Sequence, residues 1–273
     1  MLGALLSLLL IAGRPHAPLA LMAEPVELSQ ATARLLQPGG SRALLHVGDL
    51  PRCDPLLRAG SRLETLRLDP ANATLEQEAQ AVQLVERSQC IVLCGGSWLD
   101  WWSLTHEVTR RNRFAQALQH AQRSGRGMIG IGAGAEYLAG QALLRRSELH
   151  KPGRNPRSSP VLLAGGLALA GDLALCTTPT RREDFCTAAR LAGHSRALLL
   201  EGPIACILRP DSDEWQPEGD GQALLLDFSG TQRARARPLT ARASAQKLLP
   251  RDIEARWDAA NGLWELQFRE PAR

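Results

Sequence analysis

Met128-Ile129-Gly130-Ile131-Gly132-Ala133-Gly134-Ala135 carries a short apolar segment straight into a glycine-rich turn and a following helix. Met128 to Ile131 reads as a buried strand, and Ala135 to Leu144 as the helix. Gly130, Gly132 and Gly134 supply the backbone freedom that a sharp strand-to-helix turn needs. Such an elbow holds one side chain in a strained, open position and aims N–H groups from the helix start at a developing oxyanion. Gly132 occupies that central position, so the frame for acyl transfer lacks the side chain that covalent catalysis requires.

The same alternation extends to both sides of the elbow. Leu8 to Gly13 reads as a first buried strand, Glu27 to Leu36 as a helix stopped by Gly39-Gly40, and Ala43 to Val47 as a second strand. A strand at Leu63 to Leu68 precedes Asn72 and Thr74, two good N-caps, and Leu75, Ala79, Val82 and Val85 then recur at helical spacing. Cys90 to Leu93 is a strand ended by Gly95-Gly96 and followed by the Trp-rich segment Trp98 to Leu104. From Phe114, Leu118 and Ala121 mark another amphipathic helix, closed by Gly125. Past the elbow, Lys151 to Pro160 is a polar loop. Strands follow at Leu173–Cys176, Ala197–Leu200, Ile204–Leu208 and Ala223–Phe228. A hairpin of Ala255–Trp257 and Leu263–Phe268, turned at Asn261-Gly262, forms an antiparallel C-terminal edge. The order predicts a single α/β domain over residues 1–273: a doubly wound, mostly parallel sheet with helices on both faces. Any ligand belongs at the carboxyl ends of its strands.

Composition narrows the function classes. Of 273 residues, 44% are hydrophobic and 22% charged, the balance of a chain with a real core. The net charge of +4 comes from scattered arginines with no basic block, which argues against nucleic acid as a partner. Arg233 to Arg237, alternating with Ala, reads as a solvated loop rather than a phosphate-binding arm. The six cysteines show neither a CxxC pair nor zinc spacing, so they are expected to be reduced and mostly buried, with no metal and no cofactor. Leu2 to Ile11 has neither a basic n-region nor an A-x-A cleavage pattern, so a cytoplasmic protein is expected. Export is the alternative if that run is a signal peptide. No stretch approaches the roughly 20 apolar residues of a membrane helix, so no membrane partner is expected.

Gly130-Ile131-Gly132-Ala133-Gly134-Ala135 resembles the G-x-S-A-G-A elbow of the cyanophycinase and dipeptidase E family of serine peptidases, peptidase family S51. That family's fold is similar to class I glutamine amidotransferases. The strand ending in Gly95-Gly96 resembles the family's Gly-Gly turn, whose backbone is implied to form part of the oxyanion hole with Gly132 and Ala133. Gly165-Gly166-Leu167-Ala168-Leu169 resembles its Gly-Leu segment, Arg190-Leu191 its Arg-Leu helix end, and Glu201 with Ala205 its later acidic strand end. These motifs span Leu84 to Leu208. The departures concern chemistry. Gly132 replaces the nucleophile. Thr177 or Thr178 stands near the place of the Asp-x-His general base, with no His between Lys151 and Gly193. Ser97-Trp98 follows Gly-Gly where a substrate-binding Gln is usual.

Loss of nucleophile and base together implies a degenerate member, because such groups act as a unit. The expected function is binding of a peptide or a partner. The resemblance implies a homodimer and acidic or β-linked aspartyl peptides as ligands; a catalytic paralogue is the other partner considered. The alternative is an active serine-type hydrolase with a displaced nucleophile such as Ser97, or with water activated by Glu201. Cys94 and His150 are further candidates, read respectively as a core thiol and a surface imidazole. Trp98, Trp101 and Trp102 form either an aromatic wall over the crevice or the packing of a helix on the sheet. Trp98, Ser97, Arg181 and Arg182 are the ligand-binding candidates, the two arginines as a carboxylate clamp or a solvated helix start.

Overall fold

Four short, mostly apolar runs stack in parallel at the centre of the first sheet, and their near-continuous burial is what a sheet covered on both sides requires, with the more polar Leu63–Leu68 at its parallel edge. The computed structural model describes residues 17–36, 40–49, 63–107, 110–145, 161–177, 182–209, 212, 214–228, 233–240 and 253–268. In chain order the first half contains β1 (Leu19–Met22), α1 (Gln30–Leu36), β2 (Arg42–Val47), β3 (Leu63–Leu68) and α2 (Leu75–Arg87). Then come β4 (Cys90–Gly95), α3 (Trp98–Thr105), the two-residue strands β5 (His106–Glu107) and β6 (Arg110–Arg111), α4 (Arg113–Arg123), β7 (Gly127–Ile131) and α5 (Ala133–Ala139). The second half adds β8 (Gln141–Arg145), β9 (Val161–Gly165), β10 (Leu173–Cys176), α6 (Arg182–Leu191), β11 (Arg196–Glu201) and β12 (Ile204–Leu208). It ends with β13 (Trp215–Gly219), β14 (Gln222–Phe228), β15 (Arg233–Pro238), β16 (Ile253–Asp258) and β17 (Leu263–Phe268).

Among the described residues the strands form two large sheets. The first has the order β13-β12-β1-β7-β4-β2-β3, parallel from β1 to β3, with β12 and β13 added antiparallel at one edge. The second has the order β16-β17-β15-β14-β11-β10-β8-β9, and only β11, β10 and β8 run parallel in it. The mixed α/β class expected from the alternation is what is observed, with the strands shared between two sheets. The main core lies between them. Leu45, Leu93, Trp101, Phe114 and Tyr137 meet Leu173, Leu175, Leu198 and Leu225 there. Leu36 of α1 covers the other face of the first sheet, and Phe185, Cys186 and Ala189 of α6 cover the far face of the second. No helix among the described residues is long and apolar enough to cross a membrane.

Several local expectations change. The helix after the elbow ends at Ala139 rather than Leu144, and Gln141–Arg145 pairs instead with β9 and β10. Backbone partners distant in sequence override a spacing that suits a helix. Arg233–Pro238 is a strand, not a solvated loop: Ala234 and Ala236 are buried while Arg233, Arg235 and Arg237 are exposed, the period of two that a half-covered sheet imposes. Asn72 caps no helix. Asp69 caps a single 3-10 turn at Pro70–Asn72, and the Thr74 hydroxyl accepts the Gln77 N–H at the start of α2. The helix expected from Glu27 starts at Gln30, after Ser29, whose hydroxyl accepts the Thr32 N–H. Leu8–Gly13 and the Lys151–Pro160 loop lie outside the described residues, and the first described strand is Leu19–Met22. The C-terminal hairpin has β16 as the sheet edge, with Gly262 at φ 63° in its turn.

Candidate functional site

Strands β2, β4 and β7 lie side by side, with Val47 opposite Gly95 and Leu93 opposite Gly130. The turns after β4 and β7 therefore open at the same end of adjacent strands. At the end of β7, Gly132 has φ 57° and ψ −122°, a backbone conformation costly for any residue with a side chain. Its N–H donates to Met22 O (2.9 Å) and its carbonyl accepts the Glu136 N–H (3.1 Å), so the turn is fixed from both sides.

The glycines of this run have different reasons to be glycine. A Cβ on Gly130 would lie 2.4 Å from Ala135 Cα, and one on Gly134 would lie 2.3 Å from Leu93 O. These two let α5 press against the sheet. A Cβ on Gly132 would meet Ala23 O alone, at 3.8 Å. Space for a side chain is present at Gly132, and the side chain is not.

At the neighbouring turn, Gly95 (φ 75°) and Gly96 (φ 65°) are forced by close approach, since a Cβ on Gly95 would sit 2.3 Å from Val47 O. Ser97 then starts α3. Its hydroxyl donates to Asp100 Oδ2 (2.8 Å) and accepts the Asp100 N–H, while its own N–H donates to Asp100 Oδ2 (2.7 Å), a complete capping box. Trp98 and Trp101 are buried against Tyr137 of α5, with ring centroids 6.1 Å and 6.5 Å away. Trp101 Nε1 donates to Gly95 O (3.0 Å), tying α3 to the Gly-Gly turn, whereas the buried Trp98 Nε1 has no partner among the described residues. Of the two readings of the tryptophans, packing describes Trp98 and Trp101. Trp102 is half-buried and stacks on His106 at 4.7 Å and 7°.

Beneath them runs a buried polar chain. The Tyr137 and Thr105 hydroxyls lie 2.5 Å apart, and Thr105 Oγ1 donates to Trp101 O (2.6 Å). Burial pushes the Tyr137 phenol up to about 12. Burial, and then the charge of Arg111, holds the His106 imidazole below its usual value.

Thr177 follows β10 at its carboxyl end. Its N–H and hydroxyl both donate to Glu136 Oε1, at 2.9 Å and 2.8 Å. Glu136 stands four residues after Gly132 on α5 and is 5% exposed. Helical spacing alone puts this acid one turn after Gly132. Glu201 ends the adjacent strand β11. The segment Gly166–Ala170 closes the other end of α5: the N–H groups of Leu167, Leu169 and Ala170 donate to Tyr137, Leu138 and Ala139 carbonyls. A second missed cluster is Asp172, whose Oδ1 lies 2.5 Å from His194 Nδ1 and whose Oδ2 accepts the Ser195 N–H and hydroxyl. It precedes β10 and β11 at their amino ends, opposite to Thr177. Cys94 is buried in the core under α1. Arg182 is the first residue of α6, and Arg181, His150 and Thr178 lie outside the described residues.

No protein-family model matches the chain, and no curated protein matches it. Among solved structures it is similar to the crystal structure of a peptidase from an acI-B1 Actinobacterium. The two are 17% identical with a TM-score of 0.56, over 84% of this chain and 96% of that one. The two chains share a fold. A strand-to-helix elbow at the carboxyl ends of parallel strands is where such a fold places a ligand.

Proposed function

We propose that this chain is a catalytically degenerate relative of serine peptidases that keeps the elbow crevice and uses it to bind a peptide or a partner subunit. The observation that carries the reading is Gly132: the strained backbone of a nucleophile position, with open space for a side chain and none there. Its second support is Thr177, near where the family resemblance puts a general base, with its hydroxyl given to Glu136. The likeness to a solved peptidase supports the fold on which this reading rests. The ligand class is that of acidic or β-linked aspartyl peptides and the assembly a homodimer, as the resemblance implies, with a catalytic paralogue as the alternative partner. The oxyanion-type donors are assigned to the turn at Gly95-Gly96 and to the Ala133 N–H, since the Gly132 N–H is bound to Met22 O. Ser97 stands beside them as a hydrogen-bonding group for the ligand. A cytoplasmic setting belongs to this reading, and the mass of the mature N-terminus tests it against export.

A serine-type hydrolase using Ser97 is the competing reading, favoured by an exposed hydroxyl 2.8 Å from a carboxylate oxygen. That oxygen is Asp100 Oδ2, and the bond completes the helix cap, which leaves the hydroxyl a weak nucleophile. The test is fluorophosphonate labelling together with hydrolysis of cyanophycin and β-aspartyl dipeptides by the wild type and by Ser97→Ala and Gly132→Ser. Absence of both label and turnover in the wild type is expected. Labelling that Ser97→Ala abolishes would overturn the degenerate reading.

A further inference from the structure

Strand β16 is paired by β17 on one side, and among the described residues no strand pairs its other edge. An open strand edge presents unpaired N–H and C=O groups and is a template for another strand. Two features of this edge specify which strand. The first is charge. Arg196, Asp227, Arg235, Glu265 and Arg256 lie opposite one another in register across β11, β14, β15, β17 and β16. The row alternates in sign, with Arg196 Nε 3.3 Å from Asp227 Oδ1, and it stops on a cation at the open edge. The second is apolar surface. Trp257 lies on the opposite face of β16 from Arg256, stays 45% exposed and has its ring 5.1 Å from that of Trp264.

We propose that β16 pairs edge to edge with β16 of a second copy of this chain, antiparallel about a two-fold axis through Ala255. A two-fold axis normal to the sheet keeps each residue on its own face, and cross-strand neighbours share a face, so the axis passes through a residue. Centred on Ala255, Glu254 faces Arg256 twice and Ile253 faces Trp257 twice. Centred on Arg256, the pairs are Arg256 with Arg256 and Glu254 with Asp258. Centred on Glu254, that carboxylate meets its own copy. Centred on Trp257, Arg256 faces Asp258, but the strands then overlap over three residues, as they do at Glu254; of the two registers that overlap over five, the one at Ala255 opposes unlike charges. It also places Glu254 of the second copy next in the row that ends at Arg256, so the alternation of sign continues across the axis. The half-exposed Trp257 ring gains a β-branched neighbour, a favourable cross-strand pair.

A single six-residue edge with two tryptophans falls at the small end of specific interfaces, so the dimer is weak and concentration-dependent. The inference stands on the sheet edge alone, and its failure would leave the reading of Gly132 untouched. The test is sedimentation velocity of the full chain from micromolar to near-millimolar concentration. The variants are Trp257→Ala, Arg256→Glu and the charge swap Glu254→Arg/Arg256→Glu, with thermal melts to confirm folding. The wild type is expected to dimerise, and Arg256→Glu to weaken the dimer about tenfold or more, since it opposes two carboxylates on each side of the axis. The swap is expected to recover most of that loss. Arg256→Glu and the swap carry the same clash with Glu265 inside one copy, so the recovery isolates the contact between copies. A wild type that stays monomeric, a dimer unchanged by Arg256→Glu, or a swap as weak as Arg256→Glu alone would each overturn the proposal.

Discussion

Gly132→Ser separates backbone strain from steric overlap at the elbow. The new Cβ meets Ala23 O at an ordinary 3.8 Å, so the substitution costs the backbone conformation alone. A side chain held at φ 57° and ψ −122° costs about 1–3 kcal/mol. Gly134→Ala instead drives a methyl to 2.3 Å from Leu93 O and 2.7 Å from Leu93 C, and Gly130→Ala drives one to 2.4 Å from Ala135 Cα. Both contacts are with backbone, so α5 must lift from the sheet and disturb Tyr137 and Leu138 in the main core, at more than about 3 kcal/mol. In a chain of 273 residues each kcal/mol moves the melting temperature by about 2 °C. Gly132→Ser is therefore expected to melt roughly 2–6 °C lower, and Gly130→Ala and Gly134→Ala lower still. Urea and thermal unfolding measure this. Fluorophosphonate labelling of Gly132→Ser adds a chemical readout, with no reaction expected because the added hydroxyl gains no histidine. If Gly132→Ser unfolds as readily as Gly134→Ala, the space is not there, and the reading of Gly132 as a vacated position fails.

Thr177→Val removes the hydroxyl donor to the buried Glu136 carboxyl and is expected to destabilise by about 1.5–3 kcal/mol in urea unfolding. Trp101→Phe should cost about 1 kcal/mol more than Trp98→Phe, since Trp101 loses its bond to Gly95 O while Trp98 loses an unpartnered N–H. Equal losses would contradict the assigned contacts. The Tyr137 phenol, raised from 10.0 to about 12 by burial, binds its proton more tightly folded than unfolded. Its contribution is full below pH 10 and is lost as pH rises to about 12, roughly 2–3 kcal/mol in all, and Tyr137→Phe should flatten that part of the stability profile.

Much of the elbow was legible because its code is local. Apolar runs bounded by glycines, Cys90–Gly95 and Gly127–Ile131, allow little but buried strands, and a glycine-rich turn before Ala135 allows a sharp entry into a helix. The Thr74 cap and the Asn261-Gly262 turn follow from the chemistry of neighbouring residues and appear as read. The site's polar contacts were not legible in this way. Thr177 meets Glu136, and Asp172 meets His194, across stretches in which no residue of one pair fixes the place of the other. Gln141–Arg145 carries a spacing that suits a helix and is a strand because β9 and β10 complete its hydrogen bonds. The alternation in Arg233–Pro238 likewise gained meaning from the sheet beneath it. Sequence alone determined the missing side chain at Gly132 and the strand–turn–helix around it, because backbone sterics and apolar periodicity act between near neighbours. Tertiary structure decided the division into two sheets, the partners of Glu136 and the open edge of β16, because those depend on strands that pair far apart in the chain.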